Sequence, residues 1–411
     1  MDYNSTKGII ELGSLNIKCL IVKINSDNTT KILSTSIAKS EGIHNGTIVN
    51  LMKAASVIRT AISTAEKIAD VSLKRINVIT EQPEFLCTKF SKHRKINGSK
   101  IKKEDIEFLL KEAKKEVILN DDKQAIIHIF NHNYIVDGKT FVEEPINVFA
   151  DSLSHEMTFI TMPKNNIKNI NQAFIDCDIE VERFISCTFA LAAKVLNDNE
   201  LKFGSILIDM GYEKTSLGLF KNFALIHSIT FPVGINHVIK DISKVCSLSL
   251  EESEIIKNNI NFSFKNNNKL FDENDYLKNN FFSKSSFRKI SKTLLNNIVK
   301  ARLDEIFEMI KMQLILTELK PTIGSTLFIV GGGAYLNNIQ DYCSNFFGVN
   351  VKKIDTDSKI ENGSKSNRTF DSCLGALKII KDGWETEAIP ERVEKNEEKI
   401  SFFSRFFGNK Q

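Results

Sequence analysis

Four stretches of this chain carry side chains whose types and spacing could handle a charged ligand. In Ser205–Phe220, SILIDMGYEKTSLGLF, an apolar run ends in Asp209, Gly211 follows two places on, and a polar turn leads into a second apolar run. Lys7–Ile24, KGIIELGSLNIKCLIVKI, repeats the pattern with Glu11, Gly13 and Ser14. An acid on the lip of a strand, with a glycine that lets the backbone come close, suits a hairpin tip placed against phosphates. In EESEIIK, Glu254 and Lys257 stand three apart and share a helix face. Ser325–Val330 runs into Gly331, Gly332, Gly333 and Ala334, a turn on which a flat ring could lie because no Cβ blocks it. Each stretch also has a plain explanation: a hairpin, a solvated ion pair, a strand-to-helix turn. The acid–glycine hairpin occurs once in each half of the chain, which implies a duplicated architecture with the two hairpins facing each other across a cleft.

The elements that must position these residues read as α/β layers. A strand at 31–38, a helix over 50–69 with Leu51, Ala54, Val57, Ile58, Ala61, Ala65 and Ile68 at helical spacing, and a strand at 76–80 follow the first hairpin. From 81 to 163, strand-like runs surround one helix at 102–117, a small α+β insert. His128 and His132 lie four apart there, but AIIHIFNHNYIV reads as strand, so they are expected to be surface or edge histidines and not metal ligands. Helices at 165–176 and 188–196 flank a strand at 180–185. Beyond the Asp209 hairpin, Pro232 and Gly234 introduce a helix from Asn236 whose N–H groups could point toward a ligand. Further helices are expected at 250–258, 287–319 (stopped by Pro321), 337–347 and 371–380.

Composition narrows the classes. Fifty-five basic and 51 acidic groups leave a net charge of +4, which gives no reason to expect a nucleic-acid partner. The seven cysteines sit mostly in apolar runs and form no Cys-x-x-Cys pair, so they read as buried thiols in a reducing compartment. The N-terminus does not look like a secretory signal, and no apolar run is long enough to span a bilayer, so a cytoplasmic protein is expected.

Residues 385–398 include Glu385, Glu387, Glu391, Glu394, Glu397 and Glu398 and read as a solvated linker. In KISFFSRFFGNKQ, Ile400, Phe403 and Phe407 recur at helical steps with Phe402 and Phe406 beside them, while Lys399, Arg405 and Lys410 edge the stripe. Such a helix suits a lipid headgroup layer, the alternative being that it docks back onto the body or onto a partner protein. Its grip is weak alone and strong when many copies act together.

In this order, the two acid–glycine hairpins, the Glu-x-x-Lys helix, the strand–GGGA turn and the small-residue last helix resemble the actin, Hsp70 and sugar-kinase superfamily. Within it they resemble the bacterial cell-division FtsA family, selected by the insert, by EESEIIK and by the amphipathic terminus. The resemblance implies an actin-like duplicated α/β ATPase fold with an α+β insert in the first half and a C-terminal amphipathic helix. It implies a first subdomain at 7–83 completed by 164–203, an insert at 84–163, a second subdomain at 204–238 and 324–384, a helix-rich subdomain at 239–323, a linker at 385–398 and a membrane helix at 399–411.

By the same resemblance, Glu11, Gly13 and Ser14 form the first phosphate loop, and Asp209, Gly211 and Lys214 the second. Glu254 and Lys257 hold the ribose and adenine side, and Gly331, Gly332 and Gly333 form the adenosine turn. ATP is the implied cofactor, with Mg held through water near Glu11 and Asp209. The implied partners are FtsZ, through a surface that includes Arg302; other copies of the chain; membrane lipids; and later division proteins through the insert. The implied place is the inner face of the cytoplasmic membrane at the division site. The family's second loop reads Asp-x-Gly-Gly-Gly-Thr with a later Asp, where Tyr212, Glu213, Lys214 and Ser216 stand here. These side chains remove permissive backbone and add an anion, so no catalytic residue is assigned and at most weak ATPase activity is expected. An active kinase or ATPase and a pilus-assembly scaffold of the same superfamily are the alternatives.

Overall fold

The computed structural model describes residues 5–27, 29–259, 275–286, 289–317, 326–353 and 368–382. The acidic linker and the amphipathic terminus lie outside them. The chain divides into two compact units, Met1–Gly204 with Gly218–Ile229 and Thr356–Gln411, and Ser205–Leu217 with Thr230–Asp355.

The first unit opens with β1 (Ser5–Leu12), β2 (Asn16–Ile24), β3 (Thr30–Lys39), the short pair β4 (Ile43–His44) and β5 (Thr47–Ile48), α1 (Leu51–Ala69) and β6 (Arg75–Thr80). Helix α1 begins where the Asn50 side chain accepts the Lys53 N–H at 3.1 Å, and ends at Asp70 in the left-handed region. Such a cap is worth about 1 kcal/mol. The helix buries Ala54, Ile58, Ala61 and Ala65 as its spacing predicts, and Ile62 with them, but Ile68, expected on the same face, is exposed in the last turn. The insert follows as β7 (Leu86–Lys100), α2 (Lys103–Asn120), β8 (Gln124–Val136), β9 (Lys139–Phe141) and β10 (Phe149–Pro163), a sheet in the order β7-β10-β8-β9. Both histidines are on β8, as the strand reading expects. His128, however, is 2% exposed and not a surface residue, because Phe189 and Ser186 from another segment cover it. Helix α3 (Lys164–Ile175), β11 (Glu180–Ser186), α4 (Cys187–Val195) and α5 (Asp198–Phe203) complete this stretch.

The second stretch runs β12 (Ser205–Met210), β13 (Thr215–Lys221), β14 (Ala224–Phe231), α6 (Ile235–Cys246), α7 (Leu250–Asn259), α8 (Lys292–Leu316), β15 (Thr326–Val330), α9 (Ile339–Phe347) and β16 (Asn350–Lys353). Helix α10 (Asp371–Asp382) comes last. The sequence groups α10 with the second subdomain, but it belongs to the first unit, where it packs on α4 and β1.

The two large sheets have one topology. Their orders are β11-β6-β1-β2-β3 and β16-β15-β12-β13-β14, so β1 and β12 hold the same central place and the hairpins β1–β2 and β12–β13 correspond. Strand β1 runs parallel to β6, and β12 parallel to β15. Two cores are thus built on one plan, each lined by apolar strands such as Ile9 and Ile10 or Leu207 and Ile208, all of them fully buried. Every cysteine is a free thiol. No described helix is long and apolar enough to cross a membrane, and among the described residues no cluster of His, Cys, Asp and Glu could hold a metal ion.

Candidate functional site

In both sheets the acid singled out by the sequence sits at the C-terminal end of the central strand. Open α/β sheets bind ligands beyond that end. Glu11 is paired in register with Ile79 of β6, and Asp209 with Val330 of β15.

In the first unit, Glu11, Gly13 and Ser14 share one turn. A Cβ on Gly13 would lie 2.5 Å from the Asn16 carbonyl oxygen, so the turn needs its glycine. Ser14 Oγ is buried without a hydrogen-bonding partner. A buried hydroxyl in that condition costs about 1–3 kcal/mol, and a phosphate oxygen would satisfy it.

The sequence reading missed two residues here. Lys18 stands directly across the hairpin from Glu11, and its ammonium lies 3.1 and 2.9 Å from the two carboxylate oxygens. Both side chains are largely shielded, 20% and 14% exposed. Burial works against the Lys18 charge, but the adjoining Glu11 carboxylate outweighs it and raises the pKa. The Ser372 hydroxyl, in the first turn of α10, also donates to Glu11. The register of a hairpin turning at Gly13 could have revealed Lys18. Nothing local could have revealed Ser372.

In the second unit, Asp209 and the glycine turn adjoin. Gly331 has φ 81° and ψ −176°, and a Cβ on it would strike the Asp209 carboxylate. A Cβ on Gly333 would lie 2.5 Å from that of Met210, whereas Gly332 has ordinary space. Two of the three glycines are therefore required by close approach to the end of β12.

The turn Gly211–Lys214 is closed by the Gly211 N–H donating to the Lys214 carbonyl at 2.9 Å. Helix α6 abuts it: the Ile235 and Asn236 N–H groups donate to the Gly211 and Tyr212 carbonyls at 3.0 and 2.7 Å. Those amides, expected to point toward a ligand, instead hold the hairpin tip. Gly234 permits this, since a Cβ there would lie 2.6 Å from both carbonyl oxygens.

Glu254 and Lys257 lie on α7 as expected. Burial lowers the Lys257 pKa, with Glu254 opposing. Burial also raises the Tyr212 pKa, and the Glu254 and Glu213 charges add to the rise, so Tyr212 stands near the Glu-x-x-Lys helix. Helix α7 is anchored by Glu252, which is fully buried. Its carboxylate accepts the Ser249, Lys284 and Ser285 N–H groups at 2.9, 2.7 and 2.9 Å and the Ser285 hydroxyl at 2.9 Å. Desolvation pushes its pKa up, but these bonds prevail and bring it to about 2.

Arg302, on α8, is not a free surface cation. Its Nε and Nη2 grip Asp241 of α6 at 2.7 and 3.0 Å, and Nη1 meets Glu305. The Asp241 contact raises its pKa.

With this geometry in hand, the chain can be compared with known proteins. A family model described as Cell division protein FtsA matches residues 206–375, and one described as SHS2 domain inserted in FTSA matches 85–161. The Cell division protein FtsA of Agrobacterium fabrum is 23% identical, over 84% of this chain and 80% of that protein. Among solved structures, the PilM-PilN type IV pilus biogenesis complex is similar with a TM-score of 0.62 at 11% identity, covering 92% of this chain and 98% of that one. MreB 5 of Spiroplasma citri bound to AMPPNP gives 0.53 at 14%, covering 92% and 97%.

Proposed function

Because this chain belongs to the FtsA family of cell division proteins and has the actin-like α/β fold with an inserted SHS2 domain, we propose that it binds ATP, self-assembles on the inner face of the cytoplasmic membrane and ties the FtsZ ring to it. The observation that carries the nucleotide part is the repeated sheet order with an acid ending the same strand in each copy. MreB 5, similar in fold, was solved with AMPPNP.

The residues present fit such a ligand. Ser14 offers an orphaned hydroxyl and Lys18 a cation to the phosphates, and the side-chain-free turn at Gly331–Gly333 offers backbone to adenosine. In this reading Glu11, Gly13, Ser14, Asp209, Gly211 and Lys214 serve the phosphates, and Glu254 and Lys257 the ribose and adenine. Magnesium, bound through water near Glu11 and Asp209, would neutralise phosphate charge. Tyr212, Glu213 and Ser216 leave the second loop poorly built for hydrolysis, so nucleotide acts as a structural ligand more than as fuel.

The pilus alternative has only a fold likeness at 11% identity behind it. The FtsZ surface lies on the helix-rich part around α8. Arg302 contributes there by clamping α8 to α6 and through its remaining N–H donors. Ile400, Phe402, Phe403, Arg405, Phe406 and Phe407 supply the membrane contact, and the insert meets neighbouring copies or later division proteins.

The test is co-sedimentation of FtsZ with anionic phospholipid vesicles. The full chain should carry FtsZ down with the vesicles, and the chain lacking 400–411 should leave both in solution. Equal vesicle binding by the shortened chain, or vesicles that bind the full chain without FtsZ, overturns the anchoring role.

A further inference from the structure

The acid of the first turn is tied, through packed contacts within the first unit, to a buried histidine of the insert. Burial pushes His128 down to about 3, so its ring is neutral near pH 7. Its Nε2 accepts the Ser186 backbone N–H at 3.0 Å. Ser186 caps α4: its hydroxyl accepts the Phe189 N–H at 3.3 Å and donates to Glu81 at 2.7 Å, and Glu81 also accepts the Thr188 N–H at 3.0 Å. The Phe189 ring stands edge-on to His128 and Phe130, with centroids 5.1 and 4.8 Å apart. The start of α4 is therefore fixed by the insert and its root.

From there the route runs through rigid elements. Helix α4 crosses α10 so closely that Gly375 has no room for a Cβ against the Ala190 carbonyl. Helix α10 begins with Ser372, whose hydroxyl donates to Glu11. Because neither helix can shift at this crossing without the other, a change in where α4 starts reaches Ser372.

We propose that His128 is a positioning residue for the first acidic turn: by seating α4, and through it α10, it sets where Ser372 holds Glu11, so that a partner bound to the insert and ATP bound at the turn influence each other. The inference rests on the reading of Glu11 as part of the nucleotide site. By linkage the effect is reciprocal: nucleotide tightens the root of the insert by the factor with which the insert tightens nucleotide.

The full chain is compared with His128→Leu, which leaves the Ser186 N–H without an acceptor, and with His128→Gln, whose amide oxygen can replace Nε2. Hydrogen exchange is followed without nucleotide, and Mg-ATP affinity is measured alongside. His128→Leu should speed exchange at 370–374 by about 2- to 30-fold and weaken ATP by a similar factor, with α8 unchanged and His128→Gln restoring both. Faster exchange confined to β8 and α4, with 370–374 at its original rate, overturns the proposal. So does loss of protection everywhere that His128→Gln does not repair. Ser372→Ala gives the same test from the other end and should loosen 186–190; unchanged rates there also overturn it. If the unaltered chain binds no ATP, the nucleotide reading fails, and the exchange rates still decide the link.

Discussion

Replacing Gly331 by Ala tests how tightly the glycine turn is pressed on the Asp209 strand. The backbone at Gly331 has φ 81° and ψ −176°, a region essentially reserved for glycine, where a side chain costs about 1–3 kcal/mol. The new Cβ would also meet the Asp209 carboxylate and come within 2.7 Å of the Met210 carbonyl oxygen, so β12 and β15 would have to part, at a further ~1–3 kcal/mol. The combined expectation is about 2–6 kcal/mol. Gly348→Ala is the matched control, with φ 67° and nothing within 4 Å of its Cβ, so only the left-handed penalty of about 1–2 kcal/mol applies. Urea titration with hydrogen exchange read at β12 and β15 gives both costs on one scale. Equal costs for the two substitutions would refute the close approach, and with it the reason for a glycine at 331.

Three other perturbations follow from the same geometry. Lys18→Met leaves Glu11 shielded without its cation and should cost about 2–4 kcal/mol in urea titration, with part recovered in the Glu11→Gln, Lys18→Met double variant. Glu252 sits near 2 in the folded chain against 4.5 unperturbed, so its contribution is fully present above about pH 4.5 and is lost as pH falls toward 2. Urea midpoints between pH 6 and pH 3 should fall less steeply in Glu252→Gln, which starts from lower stability. Tyr212→Gly with Glu213→Gly restores permissive backbone and removes an anion, and should tighten Mg-ATP by about tenfold or more in calorimetry.

The hairpins were legible because their polar turns interrupt apolar runs, so the stretches 7–24 and 205–220 contain β1 with β2 and β12 with β13 apart from a residue or two at their outer ends. The full lengths of β7 and β10, 15 residues each, are not marked by apolar runs: Thr88, Lys89, Ser91 and Lys95 occupy exposed positions of β7, and exposed Asp151 with half-buried Ser152, Ser154 and Glu156 interrupt β10. The same locality limits the site. Glu11, Asp209 and Gly331 announce themselves by what precedes and follows them. Ser372 reaches Glu11 across 361 positions, and His128 is buried by Phe189 from another segment, so neither could be found from neighbouring residues. The amides of α6 misled for the same reason: whether a helix N-terminus is open depends on what packs against it, here the carbonyls of Gly211 and Tyr212.

Calorimetric titration of Mg-ATP into the intact chain, Ser14→Ala and Asp209→Ala tests the central proposal, that the chain binds ATP through its acidic turns. The intact chain should bind one ATP, and each substitution, made in a different unit, should weaken it by about tenfold or more. Absence of binding by the intact chain, or a variant of either turn that binds as tightly as the intact protein, would contradict it.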